Sequence, residues 1–323
     1  MSLQDIHNLA NQNKNSRISL QNTITNLFSE TTKKKFLDSV VGTKRLAWIV
    51  SLSDSNSGRW LEVSPKSKHY TFSSDEFRTA IRMRLLIQHQ EFIPESRCTC
   101  KKRPYLDPLG HHHLASGCAK DSTLVNTHDA LALCLKDMLN MSGIRTRMEE
   151  VVGCFQEAYP NSRKRPDITT SNFPTCTKSK LVLDISMAHP IPILAINTSL
   201  SKPQALLKDR AANKRHRDKC RKYNEIANAN NLEFLPLIFE TTGRMHPDTS
   251  NFFDVTVKKM ANSMDIPPAN LQLFWSARIA CCIQKSLVGA ILSRSRVING
   301  RLTRERMNFE LAHEVMGTFQ LAN

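Results

Sequence analysis

The run LVLDIS at residues 181–186 constrains this fold more than any other stretch, because it sets a carboxylate, Asp184, inside a hydrophobic segment. Side chains alternate along a strand, so the apolar neighbours of Asp184 face away from it. A lone buried carboxylate is costly unless it is paired or ligates a cation. Two more apolar runs, IPILAI and EFLPLIFETTG, read as strands, the second ended by a turn. Between those two runs, from about Lys202 to Asn230, the chain is highly charged and reads as one long helix. Strand, helix and strand, with helices before and after, predict a mixed α/β (α+β) domain.

The flanking helices carry local signals. SSDEFRTAIRMRLLIQ offers Ser73 as an N-cap, acidic residues in the first turn, and Phe77, Ile81 and Leu85 on one face. Thr127 can cap a helix running from His128 to a stop at Gly143, and another helix is expected over Glu149 to Glu157. Beyond Pro247, FFDVTVKKMANSM, Leu271 to Ser293, and RERMNFELAHEVM read as helical. Residues 1–57 form an N-terminal segment rich in Asn, Ser, Thr and Gln. The expected divisions that follow are a helical lead-in (58–97), a zinc-binding loop (98–128), an α/β core (129–246) and a helical C-terminal region (247–323).

The 45 Lys and Arg outnumber the 29 Asp and Glu, giving a net charge of +16, which favours a polyanionic partner such as nucleic acid. The most apolar stretch is interrupted by Arg278 and Lys285, so no membrane segment is expected. The N-terminal residues lack the basic-then-apolar order of a secretory signal. An intracellular, reducing location is therefore expected, and short Lys/Arg groups at 33–35 and 163–165 lean it toward the nucleus. Nine cysteines, an odd number, argue against a disulfide framework.

Cys98, Cys100, the histidines at 111–113 and Cys118 fall in one short loop with Pro104, Pro108 and Gly110. Thiolate and imidazole ligands held tetrahedrally suit a structural Zn²⁺, for which Cys98, Cys100, His112 and Cys118 are the expected set. His111 or His113 could replace His112, and His128 competes as the fourth ligand. A solvated histidine loop with free thiols is the alternative. The other cysteines lie in apolar or helical surroundings and are expected to be buried.

Asp167, in RPDI, follows a proline that biases its neighbour to extended structure. Together Asp167 and Asp184 suggest an oxygen site for a divalent cation such as Mg²⁺, with Glu149 as a third carboxylate. The basic helix would bring Lys219 or Lys222 to the same place, where an ammonium could orient water or stabilise charge on a phosphate. Taken singly, these groups have blander accounts: Asp184 paired with Arg165, Glu149 solvated in a first turn, the lysines on an exposed face. Lys208, Arg215 and Lys222, spaced by heptads, could track a phosphate backbone, though a charged helix can equally face water.

The order of Glu149, RPD at Asp167, LDIS at Asp184 and a lysine from the following helix resembles the PD-(D/E)XK, or restriction-endonuclease-like, nuclease superfamily. That family usually has its lysine two residues after the second acid, where this chain has Ser186. Some members take it from the next helix, which makes Lys219 the first candidate and Lys222 the second. Over residues 58 to 290, the succession GRWLEVSP, DEFRTAIRMRLL, C-x-C, DPLGHHH, THDAL, RPDI, LDIS, a Lys-rich helix ending in KY, and PLIFETTG is similar to the terminal region of reverse-transcriptase-bearing transposable-element proteins. The resemblance implies a restriction-endonuclease-like core joined to a zinc module, cutting or handling DNA with Mg²⁺ or Mn²⁺. Asp167 and Asp184 would ligate the metal, Glu149 would ligate it or hold water, Lys219 or Lys222 would polarise the nucleophile, and Glu240 would support them from behind. A catalytically inactive, zinc-containing nucleic-acid-binding protein is the alternative.

Overall fold

The computed structural model describes residues 20–89, 109–114, 122–158, 165–191 and 200–293. In chain order these form α1 (Leu20–Ser39), α2 (Thr43–Leu52), a 3-10 turn (Ser55–Leu61), α3 (Ser74–Leu85), the single turn α4 (His111–Leu114) and α5 (Ser122–Met141). Next come β1 (Thr146–Met148), α6 (Gly153–Ala158), β2 (Ile168–Thr170), β3 (Lys180–Ala188), the short α7 (Lys202–Leu206), α8 (Arg210–Ala229), β4 (Leu232–Glu240), α9 (Pro247–Met264) and a last helix, α10, over 268–293.

The four strands lie in the order β1-β2-β3-β4. The first three run antiparallel, and β4 lies parallel to β3 across the α8 crossover, with Asp184 opposite Pro236. Among the described residues β4 is an edge strand, so Pro236 can lack an N–H without breaking a second ladder. The alternation expected for 181–186 decides the layers. Leu181, Leu183 and Ile185 enter the main core with Leu135 and Met138 of α5, Phe252 and Met260 of α9, and Trp275 of α10. Each such side chain contributes about 1.5–3 kcal/mol relative to exposure. Val182 faces the other way, onto Tyr223 and Ala227 of α8 and Phe155 of α6. The sheet is thus sandwiched between two helical layers, and Asp184 belongs to the α8 side.

Ser73 caps α3 through a capping box with Glu76. The inward face of that helix differs from expectation: Thr79, Ala80 and Met83 are buried, while Phe77 and Leu85 are 47% and 59% exposed. Phe77 still meets the edge of Trp60 at 6.0 Å. The helix ending at Gly143 starts earlier than expected, so Thr127 is a buried residue within α5 rather than its cap. Residues 149–152 are not helical, and only α6 forms from the expected Glu149–Glu157 helix.

The expected long charged helix is two helices. Leu207 is extended and Asp209 takes a left-handed φ of 57°, breaking the chain between α7 and α8. That break is held by Arg244, whose guanidinium pairs with the Asp209 carboxylate. Residues 192–196 of IPILAI and the RERMNFELAHEVM segment lie outside the described residues. Helix α2 packs Leu46, Ala47 and Val50 on Leu200 and Ala205. Among the described residues, no helix is long and apolar enough to cross a membrane.

Candidate active site

A cavity of about 270 Å³ opens between the α8 side of the sheet, α6 and the start of α5. Its polar wall is made by His128, Arg165, Asp167, Asp184, Ser186, Arg215 and Lys219, and its apolar wall includes Phe155, Val182, Tyr223 and Phe234. Two residues 17 apart in the chain meet here because β2 and β3 are antiparallel neighbours. The Asp167 N–H donates to the Leu183 carbonyl (3.1 Å), and its side-chain Oδ2 accepts from the Ile185 N–H (2.5 Å). This double tie fixes the Asp167 carboxylate against the β3 backbone beside Asp184.

Asp184 stands mid-strand with its side chain 15% exposed. The Lys219 ammonium reaches both of its oxygens, at 2.8 Å from Oδ1 and 2.6 Å from Oδ2. Burial lifts the Asp184 carboxyl above the usual range, Lys219 pulls it back, and neighbouring Asp167 pushes it up again. One turn earlier on α8, Arg215 Nε donates to Ser186 Oγ at 3.1 Å. Arg215, Lys219 and Tyr223 recur every four residues, which puts all three on one face of the helix.

His128 Nε2 lies 3.0 Å from Asp167 Oδ2, and its Nδ1 lies 2.9 Å from Asp129 Oδ1. The bond to Asp167 outweighs burial and raises its pKa to about 9, so it is an imidazolium at neutral pH. With Arg165, Arg215 and Lys219, the cavity wall carries four cationic groups against two carboxylates. The arrangement can receive an anion, and its two carboxylates supply hard oxygen donors for a divalent cation.

Of the residues singled out in the sequence, Asp167, Asp184, Lys219 and Arg215 come together here. Glu149 does not line the cavity: it is exposed just after β1, at φ 47°, and only its N–H reaches Asp167, donating to the carbonyl at 3.2 Å. Lys222 lies over the Tyr223 ring, 4.9 Å from its centroid, outside the cavity wall. Lys208 is exposed in the turn before α8, so the heptad face with Arg215 and Lys222 is not continuous. Glu240 is buried at the end of β4, accepting from Ser51, and ties β4 to α2 away from the cavity.

Cys98, Cys100 and Cys118 lie outside the described residues. His112 is buried in α4, beside His111, whose Nδ1 is 3.1 Å from His189 Nε2. Burial keeps His189 neutral, and its Nδ1 meets Thr241 Oγ1 at 2.8 Å.

Sequence reasoning weighed His128 only as a zinc ligand and Arg165 only as a partner for Asp184. A signal for His128 was present: it precedes Leu131 and Leu135 by three and seven residues, on the α5 face that meets the sheet. The aromatic wall had none, because Phe155, Tyr223 and Phe234 come from three separate elements. No protein-family model matches the chain, and no curated protein sequence matches it.

Proposed function

We propose that this protein is a metal-dependent, restriction-endonuclease-like nuclease of transposable-element origin that hydrolyses DNA phosphodiester bonds. The observation that carries this reading is the meeting of Asp167, Asp184 and Lys219 at one cavity, with the lysine delivered by the helix that follows the second acid. That is the placement the resemblance implies for a chain with Ser186 at the usual lysine position.

The donor set fits Mg²⁺ or Mn²⁺. Asp184 is a largely buried carboxylate whose charge needs a cationic partner; Lys219 fills that role in this structure and would cede it to a bound metal ion. Asp167 and Asp184 would hold the ion, which supplies Lewis-acid stabilisation of charge on a scissile phosphate. Arg165 and Arg215, both on the cavity wall, would orient the phosphate. Lys219 exchanges its Asp184 contact for the attacking water or a phosphate oxygen and stabilises the negative charge that develops. His128, protonated at neutral pH, holds Asp167 in place and adds positive charge to the cavity wall. A structural Zn²⁺ on Cys98, Cys100, His112 and Cys118 would order the loop before α5, and nuclear DNA is the proposed target.

A second reading, a catalytically inactive nucleic-acid-binding protein, is favoured by the Lys219 ammonium sitting on both oxygens of Asp184. Such a cavity binds phosphate through its excess positive charge without a metal. The two readings part in a plasmid-nicking assay with Mg²⁺ or Mn²⁺. The nuclease reading expects cleavage by the wild type and none by Asp184→Ala. Cleavage unchanged in Asp184→Ala removes the proposed centre, and DNA binding without metal-dependent cleavage by the wild type leaves the inactive binder.

A further inference from the structure

About a quarter turn around α8 from the stripe that faces the cavity, three metal-binding side chains converge that the nuclease reading does not use, and Cys220 touches one of them. His216 and Cys220 are four residues apart on α8 and share a face. His246 is the N-cap of α9, and Asp248 follows two residues later in its first turn. His216 Nε2 is 2.8 Å from Asp248 Oδ2, and that oxygen is 3.8 Å from His246 Nδ1. Cys220 Sγ is 3.6 Å from His216 Nδ1 and 3.8 Å from Nε2, the nitrogen that meets Asp248. The two imidazoles are stacked, 4.2 Å between centroids at an angle of 8°. Candidate ligand atoms of His216, His246 and Asp248 all lie within 4.8 Å of one another.

We propose that His216, Cys220, His246 and Asp248 form a Zn²⁺ site that clamps α8 to the start of α9. One thiolate, one carboxylate and two neutral imidazoles balance the charge of the ion and match its preference for mixed S, N and O donors. His246 is held at both ring nitrogens. Its Nε2 lies 2.9 Å from Asn213 Oδ1, the outer hydrogen bond that fixes a metal-binding imidazole, and its Nδ1 accepts from the Asp248 N–H at 3.2 Å. Nδ1 therefore carries its lone pair on the side facing Asp248, and ligation would take that lone pair from the Asp248 N–H. Burial and the adjacent His216 both keep His246 neutral.

Ligation places these atoms roughly 3.4 Å from one another, the separation set by tetrahedral bonds of 2.0–2.3 Å, so His216 Nε2 and Asp248 Oδ2 must move apart. The stacked rings must part, because parallel imidazoles cannot aim both lone pairs at one point. Rotation of the partly exposed His216 achieves this, exchanging its bond to Asp248 for one to the ion. The consequence for the fold is stiffness. The neighbouring flank of α8 presents Arg215 and Lys219 to the cavity, so anchoring this helix fixes both.

The test uses the full chain, stripped with chelator and titrated with Co²⁺, following thiolate-to-cobalt charge-transfer absorption and bound metal per chain. Cys220→Ser is expected to lose one ion per chain and its share of the band, and Asp248→Asn to weaken that ion by roughly tenfold or more. Cys98→Ser should keep the component that Cys220→Ser removes. Zn²⁺ should raise the melting temperature of the Cys98→Ser chain more than that of the Cys98→Ser/Cys220→Ser chain. Metal content, band and melting shift all unaffected by Cys220→Ser would overturn the site. Asp248 is exposed, so its replacement separates lost ligation from misfolding.

Discussion

On one face of β3, Leu181, Leu183 and Ile185 are almost wholly buried among α5, α9 and α10. On the other, Val182, Asp184 and Ser186 alternate with them one residue out of step; Val182 packs on apolar groups of α8 and α6, while Lys219 and Arg215 come down to meet Asp184 and Ser186. The same nine-residue strand therefore supports two environments. The first is insensitive to which apolar side chain fills it, provided volume is kept. The second depends on the identity of single atoms, since a carboxylate there must find a cation. Stability and chemistry should separate by face, and substitutions on alternate residues can break or sharpen that separation.

The largest effect is expected from Asp184→Asn, which keeps the size of the side chain and removes its charge. Metal-dependent cleavage should fall at least about 100-fold, measured as initial nicking rate, while the far-UV circular dichroism is unchanged. Leu183→Ala, one residue away, should do the reverse. It costs about 3 kcal/mol by urea unfolding, yet leaves the rate per folded molecule near that of the wild type. Equal losses of activity in the two variants would dissolve the distinction between the faces.

A smaller change is expected from Lys219→Met, which retains much of the stem that lies beside Tyr223 and deletes the ammonium. The Asp184 carboxyl then loses the group that offsets burial, and its pKa should rise further, readable by carboxylate NMR titration. Cleavage should fall by about tenfold or more under the nuclease reading.

The smallest effect concerns His128. Its pKa is about 9 in the folded protein against an ordinary value of 6.5, so the folded state binds the proton more tightly. The stabilisation is fully present below pH 6.5 and is lost as pH rises through about 9. His128→Gln should flatten the unfolding free energy over that window and leave it unchanged in shape elsewhere. A wild-type profile with no decline across the window would show that the Asp167 contact does not form in solution.

Much of this arrangement is legible in the sequence. An acid inside LVLDIS could only be paired or metal-bound, and the hydrophobic alternation around it named the face it occupies. Ser73 with Glu76, and glycines at 143 and 243 with φ of 74° and 98°, marked boundaries through local chemistry alone. What failed depended on contacts distant in sequence. The break before α8 is stabilised by Arg244, 35 residues beyond Asp209, so no local pattern announced it, and the heptad that joined Lys208 to Arg215 went with it. Glu149 was expected on a helix that would aim it inward, whereas β1 pairs with β2 and leaves its side chain in solvent. His128 became part of the cavity only once α5 lay across β2 and β3.

The central claim is that Asp167 and Asp184 hold one divalent ion between them, and Mn²⁺ binding to the uncomplexed protein tests it most directly. Dissociation constants would be measured for the wild type, Asp167→Asn, Asp184→Asn and the double variant. A shared ion predicts that each single replacement weakens binding by about tenfold or more and that the double replacement adds little to the worse of the two. Binding that survives in both single variants, or losses that simply add, would contradict it.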